Sequence, residues 1–198
     1  MKRIILCLVC ILLLTGCSEQ KNPIVTMQIK DYGTIKMELY PKIAPNTVAN
    51  FVTLVKSGFY DNNSFHRLVP GFVLQGGDPK GDGTGGPGYT ILGEFKENNY
   101  NNNLSHDEGI ISMARSQNPN SAGSQFFLVL SSDAKSSLDN KYAAFGKVID
   151  GMDIIKKIEK NEKVKDEITG KLEKNITIKK ATVQTFDKVY KVKKYSAN

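Results

Sequence analysis

A succession of short apolar segments constrains the fold of this chain more than any other feature. Each segment is bounded by clusters of glycine, asparagine, proline and serine, which favour turns, and each is too short for a typical helix. Such segments are typical of β-strands. They span residues 64–68, 72–76, 109–114, 125–130 and 143–148.

Further segments extend this pattern. Alternating apolar residues on both sides of residues 31–33 predict a β-hairpin, and residues 175–186 predict a last strand. Helical spacing appears in residues 44–60, with a proline near the start and a glycine near the end, and again in residues 151–160. Many strands, two helices and no regular alternation between them predict an all-β domain, favouring a closed antiparallel barrel capped by two α-helices.

The first residues indicate where the protein is located. Lys2 and Arg3 precede an apolar stretch, residues 4–14, that is too short to span a bilayer and is typical of an export signal. The Leu-Thr-Gly-Cys that follows resembles the bacterial lipobox, which implies cleavage before Cys17 and lipidation of its sulfur. The alternative is an ordinary signal peptide with a chance cysteine. We expect an extracytoplasmic protein, lipid-anchored to the cell membrane through Cys17.

This interpretation divides the chain into four segments and determines the use of its cysteines. Cys7 and Cys10 fall in the cleaved segment and Cys17 would carry lipid, so no thiol remains for a disulfide and the core alone must stabilise the fold. The segments are a lipoprotein signal peptide (1–16), a lipidated cysteine and tether (17–23), the folded domain (24–186) and a lysine-rich C-terminal tail (187–198).

The positive charge of the chain does not indicate a nucleic-acid partner. The formal net charge is +7, and the lysines are concentrated after residue 156, where acidic residues interrupt them. Such runs are typical of solvated faces, with at most a weak attraction to an anionic membrane surface.

The glycine-rich stretch GDGTGG formally matches a nucleotide-binding motif. Its glycines are Gly81, Gly83 and Gly86. A dinucleotide fingerprint requires a helix directly afterwards, whereas Pro87 and Gly88 follow here, and no lysine is placed as a P-loop requires. The sequence therefore predicts a loop with tight turns and no phosphate site.

Hydrolytic and metal chemistry is also disfavoured. Ser124 does not lie in a nucleophile elbow, and no acidic residue is placed in the sequence to orient His66 or His106. The two histidines lack the spacing of metal ligands, so we expect no metal and no cofactor. We expect His66 to have a structural hydrogen-bonding role and His106, in the asparagine-rich loop of residues 97–109, to be exposed.

Arginine usage is the sharper indication of function. After the signal segment, the only arginines are Arg67 and Arg115, although lysine is abundant. Each lies in or beside an apolar strand, where a planar group with several donors differs most from an ammonium group. The residues alone leave two alternatives open, a structural ion pair and a functional guanidinium.

Three motifs identify a family. The segments FHRLVPGFVLQGGDPKGDGTGG, GIISMARSQNPNSAGSQFFLVL and LDNKYAAFGKVIDGM resemble the cyclophilins, which are peptidyl-prolyl cis–trans isomerases. The resemblance extends from about Ile24 to Val183, and it implies a closed eight-stranded antiparallel barrel capped by two helices. It also implies that proline-containing polypeptides are the substrates.

The resemblance also implies roles for individual residues. The catalytic arginine of the family falls on Arg67, and Phe126 is expected in the core. The apolar proline pocket falls on Phe72, Val73, Phe127 and Leu138. Other substrate-contacting positions fall on Gln75, Ala114, Arg115, Gln125 and Tyr142, with Arg115 expected at the rim of the pocket.

The chain departs from common family patterns at two of these positions and at one residue beside a third. Val73 replaces a common methionine, and Tyr142 stands where many eukaryotic members have histidine. Ser137 occupies the place of a tryptophan found in members that bind cyclosporin tightly, which implies weak cyclosporin binding.

The leading hypothesis is therefore a lipid-anchored prolyl isomerase that acts on exported, unfolded or partly folded chains, as a monomer. Rotation about an X–Pro bond needs no nucleophile, and Arg67 would favour loss of amide resonance by donating to the proline nitrogen. Two alternatives use the same barrel: a peptide-holding chaperone and a catalytically inactive surface protein.

Overall fold

A computed structural model describes residues 21–195, so the predictions for the signal peptide and for Cys17 lie outside the described residues. The described chain forms strands joined by short loops, with three α-helices and two 3₁₀ turns, Lys96–Asn98 and Ser132–Ala134. The helices are α1 (Pro45–Lys56), α2 (Lys135–Leu138) and α3 (Met152–Asn161). The strands are β1 (Ile24–Ile29), β2 (Gly33–Leu39), β3 (Ser64–Val69), β4 (Val73–Gly76), β5 (Ile110–Met113), β6 (Phe126–Val129), β7 (Ala144–Asp150), β8 (Val164–Asp166) and β9 (Lys171–Gln184).

Eight of the strands close into an antiparallel barrel, as predicted. The strand order is β1-β2-β7-β5-β6-β4-β3-β9, and β9 also pairs with β1, so the sheet joins its own beginning. The short β8 is added to the first part of β9. The long β9 therefore makes the closure possible, because it is long enough to pair with β3 near its start and with β1 towards its end.

The predicted hairpin and helices are present, with one helix more than predicted. Asp31 has a φ of 66° in the turn between β1 and β2, a conformation that asparagine and aspartate tolerate better than most residues. Helix α1 begins at Pro45, and the Glu94 carboxylate accepts hydrogen bonds from the backbone N–H groups of Asn46 (3.0 Å) and Thr47 (2.7 Å). The additional helix is α2, a single turn that the sequence pattern did not predict.

The barrel interior is filled with side chains. Phe51 of α1 packs against Tyr60, Phe126 and Phe145, with ring centroids 5.0–5.3 Å apart. All four of these aromatic residues are fully buried. Such packing leaves no room for a ligand inside the barrel. No helix within residues 21–195 is long and apolar enough to span a membrane.

Alternation along β6 separates the core from the outer face. Phe126 and Leu128 belong to the main core, whereas Phe127 and Val129 belong to a second apolar cluster on the opposite face of the sheet. The prediction that Phe126 is a core residue is confirmed. Any site on this face must therefore be built from the outward residues of β3, β4, β5, β6 and β7.

Candidate active site

Strand register places three of the predicted site residues in one row across the outer face. Arg67 on β3 pairs with Gln75 on β4, and Gln75 pairs with Phe127 on β6. Neighbouring strands lie about 4.8 Å apart, so the Arg67 and Phe127 backbones are separated by about 10 Å. A guanidinium and an aromatic ring that project from such positions can flank a group of the size of a proline ring.

The second apolar cluster forms the floor of this site. Val73, Phe127 and Leu138 are buried within it, and Phe72, Ala114 and Tyr142 pack against it while half-buried. The structure thus brings together all four residues predicted for the proline pocket. The sequence analysis missed further members of the cluster, which are Leu104, Ile110, Val129, Ala134 and Ala144. Leu104 could have been found, because it is the one aliphatic residue of the asparagine-rich loop.

The Arg67 guanidinium is held by neutral acceptors. Its Nε donates to the Thr169 carbonyl at 2.7 Å, and its Nη1 donates to Gln75 Oε1 at 3.2 Å. Among residues 21–195, Nη2 has no hydrogen-bond partner. Arg67 also forms no ion pair with a carboxylate in this part of the chain. The alternative of a structural ion pair is therefore wrong for the described part of the chain. Burial lowers the pKa of Arg67, and Tyr142 acts in the opposite direction.

A chain of amide hydrogen bonds orients the guanidinium. Gln75 Nε2 donates to Gln125 Oε1 at 3.0 Å, and Gln125 Nε2 donates to the carbonyls of Gly83 and Gly85 at 2.9 Å. The accepting end of Gln75 is therefore directed at Arg67, because its donating end is occupied by Gln125. The glycine-rich loop, rejected as a phosphate site, supplies the last carbonyls of this chain.

Arg115 and Tyr142 form the rim of the site. The Arg115 guanidinium lies between two rings, 5.0 Å from the Phe95 centroid and 4.8 Å from the Tyr142 centroid. Its Nε donates to the Lys141 carbonyl at 3.0 Å. The Tyr142 ring packs edge-on against Phe127, with centroids 5.6 Å apart. Arg115 thus holds the aromatic wall in place and lies where the sequence predicted, at the edge of the pocket.

A cavity of about 650 Å³, here called the side cavity, adjoins this row. It shares Gln75, Ala114 and Gln125 with the site, and Tyr89 and Thr90 belong to its wall. A polypeptide bound at Arg67 and Phe127 could therefore place a neighbouring side chain in the side cavity.

The prediction that His106 is exposed is wrong. The His106 side chain is only 1% exposed and stacks on Phe127, with ring centroids 6.1 Å apart and planes at 20°. Nδ1 lies 2.8 Å from Asp139 Oδ1, and Nε2 lies 2.9 Å from Ser112 Oγ. An acidic residue does therefore orient this histidine. We assign the neutral His106 tautomer in which Nδ1–H donates to the Asp139 carboxylate and Nε2 accepts from the Ser112 hydroxyl.

This arrangement supports the pocket from beneath. Asp139 follows α2, which carries Leu138, and its carboxylate also accepts hydrogen bonds from the His106 backbone N–H and the Ser105 hydroxyl. Burial alone would raise the pKa of Asp139, but these hydrogen bonds outweigh it and lower the pKa. The loop, α2 and the Phe127 ring are thereby fixed relative to one another.

His66 also differs from its prediction. It is buried, and neither ring nitrogen has a hydrogen-bond partner among the described residues. The expected structural hydrogen bonds are therefore not formed there. Burial lowers the pKa of His66, while the charge of Asp78 acts in the opposite direction.

The two buried histidines predict a loss of stability in mild acid. Burial lowers the pKa values of His66 and His106 from their usual value of about 6.5. The unfolded chain then binds protons that the folded chain does not. The free energy of unfolding is therefore fully retained above pH 6.5 and falls as the pH drops through the lowered pKa values. Urea denaturation at pH 7.5 and pH 5.5 measures this difference.

The control is the double variant His66→Gln/His106→Gln, which removes both histidines of the chain. Its free energy of unfolding should change less between the two pH values than that of the wild type. A wild type that is equally stable at both, or more stable at pH 5.5, would contradict the assignment of neutral, buried histidines.

Comparisons with known proteins identify the family of the chain. Residues 24–183 match the family model described as cyclophilin type peptidyl-prolyl cis-trans isomerase/CLD. Peptidyl-prolyl cis-trans isomerase B of Bacillus subtilis is 44% identical over 138 residues, which are 70% of this chain and 92% of that protein. CYP71 of Arabidopsis thaliana is 45% identical over 128 residues, but the match spans only 20% of its length.

A solved structure shows the same fold. The cyclophilin type peptidyl-prolyl cis-trans isomerase of Cryptosporidium parvum, determined in the presence of the dipeptide Ala-Pro, has a TM-score of 0.70 and 36% identity. The alignment covers 81% of this chain and 98% of that chain. Sequence, fold and the matched domain lead to one conclusion: the chain belongs to the cyclophilin-type peptidyl-prolyl cis-trans isomerase family.

Proposed function

We propose that this protein accelerates the cis–trans isomerisation of X–Pro bonds in exported, unfolded or partly folded proteins, through a guanidinium that assists the loss of amide resonance. The observation that carries the proposal is the row Arg67–Gln75–Phe127, in which a charged donor with neutral partners lies beside an apolar pocket. The Cryptosporidium parvum structure in the presence of Ala-Pro supports a proline-containing peptide as the ligand.

The reaction needs binding rather than bond cleavage. Amide resonance imposes a barrier of about 18–20 kcal/mol on rotation about the C–N bond. A catalyst must bind the twisted state better than either planar isomer, and an acceleration of about 10⁴ requires a preference of about 5.5 kcal/mol. In the twisted state the proline nitrogen has a free lone pair, which can accept a hydrogen bond that the planar amide cannot.

The described residues divide this task between them. The apolar cluster would bind the proline ring on Phe127, and Gln75 would keep the Arg67 guanidinium directed towards the bond. The charge of Arg67 is not compensated by a carboxylate among the described residues, since its acceptors are an amide and a carbonyl. Its hydrogen bond to the nitrogen would form only as resonance is lost, so it favours the twisted state selectively.

Replacement of the guanidinium tests this mechanism. The Arg67→Ala variant should lose about 10²- to 10³-fold in kcat/KM on a proline tetrapeptide in a protease-coupled assay. Arg67→Lys should also lose most of the activity, because an ammonium cannot donate from two fixed positions to Thr169 and Gln75 at once.

The matched control is Arg115→Ala, which removes the other arginine of the described chain. It should cost less than about tenfold, because Arg115 supports the Tyr142 wall without reaching the reacting bond. Isomerisation by Arg67→Ala at the wild-type rate would overturn the mechanism. Assisted refolding of a proline-free client that persists in Arg67→Ala would instead favour peptide holding.

We also propose that the mature protein is lipid-anchored at Cys17, because the Leu-Thr-Gly-Cys motif follows a short export signal. The Cys17→Ser variant should lose incorporation of labelled palmitate and, if it is processed, should leave the membrane fraction of bacterial cells. Incorporation of label that persists in this variant would contradict the assignment of Cys17.

Weak cyclosporin binding is a further proposal for the same site. Ser137 is exposed on α2, next to the buried Leu138, and its short side chain offers little apolar area to a large cyclic peptide. Ser137→Trp should tighten cyclosporin binding by tenfold or more, because an indole buries far more area. Fluorescence titration measures the Kd, and an unchanged value would show that this position does not limit binding.

A further inference from the structure

The C-terminal segment of the chain lies against the wall of the side cavity. Residues 187–195, here called the C-terminal strap, follow the region that matches the family, which ends at residue 183. Tyr190 and Val192 pack against the main core, while Lys191, Lys193 and Lys194 are exposed. The strap is therefore docked along the surface by alternate residues.

A side chain of α1 holds the strap at Lys193. Asn46 Nδ2 donates to the Lys193 carbonyl at 3.0 Å, and the Lys193 backbone N–H donates to Asn46 Oδ1 at 2.7 Å. This two-way pairing imitates a strand pairing and fixes the direction of the strap. The Asn46 backbone N–H is separately bound by Glu94, so the start of α1 does not depend on the Asn46 side chain.

The next residues reach the cavity wall itself. The Tyr195 backbone N–H donates to the Thr90 carbonyl at 2.8 Å, in an isolated antiparallel bridge. Lys194 Nζ lies 4.3 Å from the centroid of the Tyr89 ring, within the range of a cation–π contact. Tyr89 and Thr90 both line the side cavity, so the strap covers the outer side of the wall that a bound chain would meet from within.

A buried asparagine joins Tyr89 to the neighbouring segment that carries Ala122 and Gly123. The Tyr89 hydroxyl donates to Asn50 Oδ1 at 2.7 Å, and Asn50 Nδ2 donates to the Gly123 carbonyl at 2.7 Å. Asn50 is fully buried, and Gly123 also lines the cavity. Tyr89, which lines the cavity, is thus held both by Lys194 of the strap and by Asn50.

We propose that the C-terminal strap positions Tyr89 and thereby strengthens the binding of client residues that flank the proline and enter the side cavity. The proposal rests on the proposed prolyl isomerase function, whose chemistry the strap does not touch. Asn46 and Lys194 are positioning residues, since they act through Tyr89. Loosening the strap should weaken the binding of substrates that fill the side cavity. The rate of rotation about the X–Pro bond in the bound substrate should stay unchanged.

The first test compares Asn46→Ala and Lys194→Met in the chain from Ser18 onward, which contains the complete barrel. Both should raise KM about three- to tenfold for tetrapeptides with a large residue in a flanking position, with kcat unchanged. Peptides with glycine at that position should show no change. The control Lys191→Met alters an exposed strap lysine that does not contact Tyr89, and it should match the wild type.

The second test measures docking directly. The Lys193 and Tyr195 amide hydrogens should exchange slowly in the wild type and faster in Asn46→Ala, as NMR can follow. Peptide Kd values from the same samples should follow KM. They test the strap even if the wild type isomerises no peptide, a result that would overturn the proposed function alone. Fast exchange of these amide hydrogens in the wild type would overturn the proposal for the strap. Faster exchange in Asn46→Ala with unaltered peptide binding would overturn it as well.

Discussion

Closure of the sheet by β9 determines where this protein can work. Once β9 pairs with both β3 and β1, the inward side chains fill the interior with Phe51, Phe126 and Phe145, and no ligand can enter. Chemistry is left to the outward residues. Because the strands are in fixed register, Arg67 and Phe127 are held on the same face and at a set spacing, so the barrel acts as a rigid template for the site.

The environment of Arg67 would allow a half-buried cation to serve the proposed reaction. A carboxylate partner would have stabilised the charge but also neutralised it. The acceptors here are the Thr169 carbonyl and the Gln75 amide, which fix the orientation of the plane and leave the charge in place. The same principle applies to Arg115, which is held by carbonyls and stacked between rings. Orientation by neutral groups thus sets both arginines of the described chain apart from a structural ion pair.

Much of the fold and of the candidate site could be predicted from the sequence. Alternation and turn residues define the strands, and the motifs around Arg67 and Phe127 define the family. The errors arose where contacts are distant in sequence. His106 was assigned to the surface because its loop is polar, yet Asp139, 33 residues later, buries it beneath Phe127. The single-turn α2 has no helical period to detect, and the docking of Lys193 on Asn46 joins residues 147 apart.

The short strand β8 has a consequence for a protein that would work among unfolded chains. An unpaired sheet edge offers a template on which extended polypeptides can aggregate, and closure of the barrel removes the edges of its eight strands. In the described part of the chain, β8 pairs only with β9, so its outer side is such an edge. It spans three residues, and Lys165 and Asp166 place charges on it. So short and charged an edge would let the proposed isomerase bind its clients through side chains without becoming a nucleus for their aggregation.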